Sequence, residues 1–392
     1  MSLPHANLFA QMLDFVPRES FECLVRQHGA ERAAKGFASW DQFVAMLFCH
    51  FGQAQTLREI EMGLASASGK LKHLGLQDSP SRSTLAYANE HRPAALFADV
   101  FQLVLDQARP WVRGRNVLRL RHKVLLLDAT VIDLCLDVFD WAHFRRAKGA
   151  VKLHLLLDRE GCLPVFAHIT PGKVHEVKVA QGLQLPSGAI VVMDRAYNDY
   201  KLFNDWCDRG VYFVTRMKQN AVFEVLEQLP VAPGSSVRRD DLILLSGTRA
   251  DKLCPHILRR IVLWDEKQQR ELVFLTNIVH LSARTVARLY KERWKIELFF
   301  KALKQNLRVK SFVGTSANAL TTQIWTALIA MLILRIMQLR AGYNWSFSNL
   351  VAVLHWNLFT YRNLWAWLNA PWQTPALSPP AQQLELPFQS TV

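Results

Sequence analysis

Apolar positions recur at helical spacing through the first hundred or so residues, roughly over Trp40 to Phe51 and Leu57 to Leu64. Each segment follows a residue pair with capping-box spacing, Ser39 with Gln42 and Thr56 with Glu59. A turn-rich piece, Ser66 to Ser81, then leads into SRSTLAYANEHRP. There Ser81 or Ser83 can cap a short helix presenting Arg82, Thr84, Tyr87 and Asn89. A short helix, a turn and a second short helix with a polar start is the layout of a helix-turn-helix reader. A plain helical bundle with a solvated face has the same pattern.

From Val124 the period changes. VLLLDATVIDLCLDVF, VKLHLLLD and PVFAHITPG read as three successive antiparallel strands joined by turn signals. AIVVMD is a fourth, fully apolar strand, followed by a helix from about Tyr200 to Arg209 and a fifth strand, VYFVTRMK. That order predicts a mixed α/β sheet. Residues 220–280 interrupt it with three more strand-like stretches, SVRRDDLILLSG, HILRRIVLWD and RELVFLTN, read as a β insertion with its own basic face. One long helix is expected from Ser282 to about Leu307, and a very apolar one from about Ala317 to Leu339. An aromatic helical segment and a proline-rich, disordered tail (Pro371, Pro375, Pro379, Pro380) close the chain.

Composition narrows the partners. Half the residues are apolar, which excludes a mainly disordered chain. There are 47 Lys and Arg against 33 Asp and Glu, a net charge of +14. A globular protein this basic usually meets polyanions, nucleic acid first and an anionic membrane surface second. The membrane reading fails: no signal peptide is visible, and the most apolar run, Ile324 to Leu334, is too short to span a bilayer and reads as a buried helix. Six scattered cysteines with no CxxC pair suggest reduced thiols and no zinc knuckle. The expectation is a soluble, cytoplasmic, nucleic-acid-binding protein with no membrane partner.

Two acids stand out. Asp128 lies inside the first strand and Asp194 closes the fourth, each behind three apolar residues. An Asp there is costly to bury as an anion without a cation against it. It is equally a common turn former, so the pair suggests metal without requiring it. On the long helix, Tyr290, Arg293, Glu297 and Lys304 fall within an arc of roughly 60° at about 100° per residue. Leu289, Ile296, Phe300, Leu303 and Leu307 fill the adjoining arc, the face that packs on the sheet. By itself that polar stripe is also what a surface helix with an Arg293–Glu297 pair looks like.

These residues carry a resemblance. The spacing Tyr, two residues, Arg, three, Glu, six, Lys within YKERWKIELFFKALK, together with LLLDATVIDL and VVMDRAYNDY, resembles the motifs of DDE insertion-sequence transposases, in the branch named after insertion sequence four. The resemblance implies a ribonuclease H-like α/β core with a β-strand insertion, plus an N-terminal helical DNA-binding domain. In those terms residues 1–115 form the DNA-binding domain, 116–219 and 281–340 the two parts of the core, 220–280 the insertion, and 341–392 a C-terminal helical segment and tail.

It further implies that Asp128, Asp194 and Glu297 are catalytic and hold two Mg²⁺ (or Mn²⁺) ions, which perform in-line displacement at a phosphodiester. Water nicks the element's end, and the freed 3′-hydroxyl attacks target DNA. Tyr290, Arg293 and Lys304 would clamp the DNA end. Arg195 is a further candidate to hold a phosphate, with a plain salt bridge as its alternative. Lys152 and His154 could line the groove, though a lone strand His is more often packed or solvated. Trp264 could stack on an extruded base, with strand packing as its plainer role. Arg82 and Thr84 are the candidate readers of the terminal inverted repeats. The implied partners are double-stranded DNA and a second copy of the chain on paired ends, within a bacterial nucleoid. Two other functions fit the sequence: a catalytically silent DNA-binding regulator of the same ends, and a metal nuclease that cuts without joining.

Overall fold

The computed structural model describes residues 6–32, 36–67, 69–111, 122–134, 143–145, 148–247, 250–307 and 312–377. The first predicted domain boundary near residue 115, Cys135 and the tail beyond 377 lie outside these residues. The chain forms two compact units, one of Met1–Gln107 with Asn306–Val392 and the other of Ala108–Gln305. The cut runs differently from the stretches read along the sequence, because both ends of the chain fold together.

The first unit is helical. Its N-terminal part holds α1 (Leu8–Leu13), α2 (Arg18–His28), α3 (Ser39–Phe51), α4 (Leu57–Ser66), α5 (Arg82–His91) and α6 (Ala95–Ala108). Thr56 caps α4 as expected, its side chain accepting from the Glu59 N–H, although Glu59 reaches the Gln55 N–H instead of closing the box on Thr56. Ser39 is not a cap. Asp41 accepts from the Ala38 N–H, while Gln42 is buried and donates to Asn89 at 2.8 Å. Burial of the amide took it away from the helix end.

In the second unit, β1 (Val124–Leu134), β2 (His143–Arg145), β3 (Lys148–Asp158) and β4 (Leu163–Pro171) come first. They are followed by α7 (Glu176–Gln181), β5 (Ile190–Met193), α8 (Tyr200–Asp208) and β6 (Tyr212–Arg216). β3 runs antiparallel to both β1 and β4, while β5 and β6 join β1's other edge in parallel. α7 and α8 cover one face, packing Ala180, Leu202, Phe203 and Trp206 against Leu125, Leu127, Val191 and Met193. This mixed arrangement fits a ribonuclease H-like core.

The predicted insertion does not leave the sheet. β7 (Phe223–Gln228), β8 (Val237–Leu245), β9 (Leu258–Asp265) and β10 (Arg270–Thr276) extend it, with a short α9 (Ala250–Leu253) between β8 and β9 and β10 antiparallel to β6, so the ten strands among the described residues form one sheet. Its expected basic face is spent internally only in part: Arg259 pairs with Asp240 and Arg260 with Asp241, whereas Arg238, Arg239, Lys252, Lys267 and Arg270 are exposed.

After the sheet the chain enters α10 (Ala283–Glu292) and α11 (Trp294–Asn306), where the sequence pattern predicts one uninterrupted helix. α12 (Ala317–Arg340), α13 (Phe347–Asn357) and α14 (Leu364–Asn369) then complete the helical unit, α12 packing on α3, α5 and α13. α12 is long and apolar enough to cross a membrane, yet 83% of its most apolar window is buried inside the protein. In the aromatic C-terminal segment, Trp345 and Trp367 are buried and Trp345 donates to the Leu368 carbonyl at 2.8 Å. Those two rings finish this unit's core, and Trp356 remains 81% exposed.

Candidate active site

Register places the first two acids. Leu127 stands opposite Met193 in the parallel β1–β5 pairing, so Asp128 and Asp194 follow at one level of neighbouring strands. Asp128 Oδ1 accepts from the Ala129 N–H at 2.8 Å, and Asp194 Oδ1 caps the turn after β5 by accepting from the Ala196 N–H at 2.9 Å. Burial pushes the Asp128 carboxyl up to about 6. The Ala129 N–H and Arg293 pull against that rise, while Asp194 and Glu297 add to it.

The third acid arrives on α11. Ser282 caps α10, accepting from the Thr285 N–H, and α10 packs on β5 and β6 through a face that includes the fully buried Val286 and Leu289. At Arg293 the helical path tightens: the Arg293 N–H bonds the Tyr290 carbonyl and the Ile296 N–H bonds the Arg293 carbonyl, both three residues apart. The sequence stripe therefore straddles a junction between two helices. Arg293 uses it to reach both acids, with Nη1 3.4 Å from Asp128 Oδ2 and Nη2 2.5 Å from Glu297 Oε1. The plain surface pair expected from the sequence alone is thus a partly buried three-residue bridge. The Arg293 guanidinium also lies 5.7 Å from the centre of the Tyr290 ring, which packs on Phe274. Lys304 Nζ donates to the Val131 carbonyl at 2.8 Å, so it is anchored on β1.

The donor set is all carboxylate oxygen, the chemistry a hard divalent cation takes. Asp128, held up in pKa by burial and by its two acidic neighbours, is a carboxyl that a cation would relieve. No cluster of three His, Cys, Asp or Glu side chains in metal-holding proximity occurs among the described residues. Between Asp128 and Glu297 the positive charge present is the guanidinium of Arg293.

Lys152 and His154 do not join this group. Lys152 pairs with Val131 and His154 with Ala129 across β1 and β3, whereas Asp128 pairs with Leu155. Side chains alternate along a strand, so the two residues occupy the opposite face of the sheet from Asp128. There Lys152 is buried, bonding Glu176 at 2.7 Å and the Val174 carbonyl at 2.9 Å, and His154 bonds Thr170. Burial lowers the His154 imidazole to about 4.

Arg195 is exposed beside Asp194, with no ion pair among the described residues. Trp264 is a half-buried strand residue opposite Glu271, with Arg238 5.9 Å from its ring centre. In the other unit, Arg82 and Thr84 are exposed on the first turn of α5, where Ser81 accepts from the Thr84 N–H. Asn89, expected at the surface, is buried instead, and Tyr87 stacks on His91 beside a groove of about 640 Å³.

Sequence reasoning passed over Tyr197. It is buried, its hydroxyl has no hydrogen-bond partner among the described residues, and its phenol is pushed up by burial and by the charges of Asp128, Glu176 and Asp194. The signal was its place three residues after Asp194, in the same motif.

Residues 119–333 match the family model described as a transposase DDE domain, a span that contains all three acids and the whole Tyr-Arg-Glu-Lys set. The chain belongs to the DDE transposases. A second model, described as a domain of unknown function (DUF4372), matches residues 5–77. Arg82 and Thr84 fall between the two matches.

Relatives of this transposase agree. It is 33% identical over 263 residues to a protein of Sinorhizobium fredii (strain NBRC 101917 / NGR234) named as transposase y4zB, covering 66% of this chain and 72% of the relative. It is 31% identical over 255 residues to a Geobacillus stearothermophilus protein named as the transposase for insertion sequence element IS5377, covering 64% and 66%. Identity is 23% over 289 residues to a Synechocystis protein (strain ATCC 27184 / PCC 6803 / Kazusa) named as the transposase for element IS4SA, covering 71% and 78%. A piggyBac transposase chain from a synaptic complex with hairpin DNA aligns at a TM-score of 0.46 and 10% identity, over 95% of this chain and 83% of that one.

Proposed function

We propose that this transposase belongs to the branch named after insertion sequence four, binds the terminal inverted repeats of its own element, cleaves them and joins the freed 3′-hydroxyl to target DNA. The observation that carries the reading is that Asp128 on β1 is bridged to Glu297 on α11 by Arg293, with Asp194 following the register partner of Leu127 on the neighbouring β5. In this reading the carboxylates of β1, the turn after β5 and α11 are drawn together into one anionic site.

In this reading Asp128, Asp194 and Glu297 hold two Mg²⁺ or Mn²⁺ ions, which when bound supply the activated oxygen nucleophile and stabilise the leaving oxygen. The chain's own work is positional. Asp128 is oriented by the Ala129 N–H and Asp194 by the Ala196 N–H, so each keeps its second oxygen for the reaction centre. Arg293 offers a planar fork to a phosphate, Lys304 a fixed point charge, and Tyr290 an aromatic edge for the terminal nucleotide. Arg195 adds an exposed cation beside Asp194. Arg82 and Thr84 on α5 read the end sequence. The active species is a homodimer on paired ends, working at the nucleoid.

The test uses DNA fragments carrying the element's ends, recognised as inverted repeats flanking the reading frame. With Mg²⁺ the chain should nick at the repeat boundary and join the 3′ end to a target plasmid. Specific binding without cutting would mean a silent regulator, and cutting without joining a nuclease. A chain that neither binds nor cuts these fragments would sink the reading. Sedimentation of the chain with paired ends tests the homodimer.

A further inference from the structure

The geometry points to Arg293 as a stand-in cation. We propose that in the DNA-free chain its guanidinium holds the place between Asp128 and Glu297 that a divalent ion requires, and that a DNA phosphate draws it away, so metal loading follows DNA engagement. The inference rests on reading Asp128, Asp194 and Glu297 as the metal-holding acids.

The oxygens in question are the same ones. Asp128 Oδ1 is engaged by the Ala129 N–H, which leaves Oδ2 for a cation, and Oδ2 is the atom Arg293 Nη1 faces at 3.4 Å. Glu297 meets Arg293 Nη2 through Oε1 at 2.5 Å. A small divalent ion approaches carboxylate oxygens to about 2.0–2.1 Å. It would then stand against the guanidinium with no anion between them. One positive group at a time suits this gap.

Arg293 is also incompletely held where it is. Its Nε is buried with no hydrogen-bond partner among the described residues, and although Tyr290 also engages the guanidinium, the 3.4 Å contact to Asp128 is long for a charged hydrogen bond. A buried donor left unsatisfied is a standing penalty. A phosphate offers two oxygens to the Nε and Nη edge, a bidentate match that single oxygens from Asp128 and Glu297 do not provide. Its position at the tightened junction of α10 and α11 puts the side chain at a point where the helix path already departs from regular pairing. The consequence is that a DNA-free transposase keeps its acids neutralised and unloaded.

The experiment measures Mn²⁺ affinity of the full chain by the electron paramagnetic resonance signal of free Mn²⁺, with and without a short blunt DNA duplex. The Asp128→Asn chain with the same duplex is the baseline for Mn²⁺ held by DNA. Expected is weak binding by the DNA-free wild type and at least about tenfold tighter binding with duplex, equivalent to about 1.4 kcal/mol. Arg293→Gln without DNA should already bind about tenfold tighter than wild type, with little further gain from duplex. Arg293→Lys, which keeps the charge and loses the fork, should fall between them.

Mn²⁺ binding by Arg293→Gln that is equal to or weaker than wild type would overturn the proposal. So would a wild type whose affinity ignores duplex, a result that needs no variant to fold. Binding undiminished by Asp128→Asn would instead remove the acid reading beneath it. Loss in Asp128→Asn with no change in Arg293→Gln removes the stand-in alone.

Discussion

Leu127 and Met193 are register partners in the parallel pairing of β1 with β5, and the residue after each is an acid. A one-residue slip of either strand would send one carboxylate to the far face. If these acids carry the chemistry, Asp128→Asn, Asp194→Asn or Glu297→Gln should each lower Mg²⁺-dependent end cleavage by about 100-fold or more, since even outer-shell partners of metal ligands cost about 10- to 100-fold. End binding in a gel shift should stay nearly intact. Robust cutting by any one variant would strike that residue from the set.

The clamp on α10 and α11 has a salt signature. Arg293→Ala and Lys304→Ala should each flatten the dependence of log affinity on log salt by about one counterion, whereas Lys301→Ala, on the exposed side, should not. Lys304 is bonded to the Val131 carbonyl. If that anchor is its whole role, Lys304→Ala will lower the melting temperature and leave the slope unchanged. Equal slopes for Lys301→Ala and Lys304→Ala would point to a diffuse basic patch.

End reading by α5 must be tested in the whole chain. Asn318 of α12 donates to the Asn89 and Arg92 carbonyls and α12 covers α3 and α5, so a fragment ending near residue 112 would expose that apolar surface to water. Full-length Arg82→Ala with Thr84→Ala should lose most of its preference for end sequence over random DNA in competition binding. Preference that survives would move recognition elsewhere.

Acid should loosen the helical unit through His50. Its ring is fully buried between the Leu307 carbonyl and Thr326, and burial lowers it to about 4. The unfolded chain takes up this proton below about 6.5 and the folded one only near 4, so stability drains away as pH falls through that window. Urea unfolding at pH 7 and pH 4.5 should differ by about 2 kcal/mol more in wild type than in His50→Gln. An identical difference in both would rule His50 out as the source.

The buried pair Asp240–Arg259 should be costly to halve. Arg259 donates through Nε and Nη2 to both Asp240 oxygens at 2.7 and 2.6 Å, and Nη1 reaches the Leu281 carbonyl. Asp240→Ala strands a buried guanidinium and should destabilise the sheet unit by about 3 to 5 kcal/mol in denaturant melts. Asp240→Leu with Arg259→Met should recover much of that. A mild effect of Asp240→Ala would show that water reaches the site.

Much of this was legible in the chain. Apolar runs such as Ile190–Met193 announce buried strands whatever their partners, and Asp194 marks the end of that one, whereas β1 continues past Asp128 to Leu134. β7 was not legible, because Phe223–Gln228 is almost wholly exposed and carries no apolar period. The face occupied by Lys152 was hidden for a different reason: whether it shares a side with Asp128 depends on the pairing Asp128–Leu155, a long-range register that local pattern does not contain. The junction at Arg293 was equally silent, since the hydrophobic period runs through it unbroken from Leu289 to Leu303. The strand order suggested that the strands carrying Asp128 and Asp194 are neighbours, but the parallel register that sets the two acids at one level is long-range and lies outside local periodicity.

The strands beyond β6 leave and rejoin the core at a single place. The Met217 N–H donates to the Val273 carbonyl at 2.9 Å, and Arg216 stands opposite Phe274 in the ladder. The intervening chain therefore begins and ends at neighbouring points, and its length does not set where α10 starts. Sequence distance between Asp194 and Glu297 is thereby uncoupled from their distance in space. Related chains are free to lengthen, shorten or replace this stretch over evolutionary time while the acids hold their positions, much as a drawer can be exchanged without moving the cabinet.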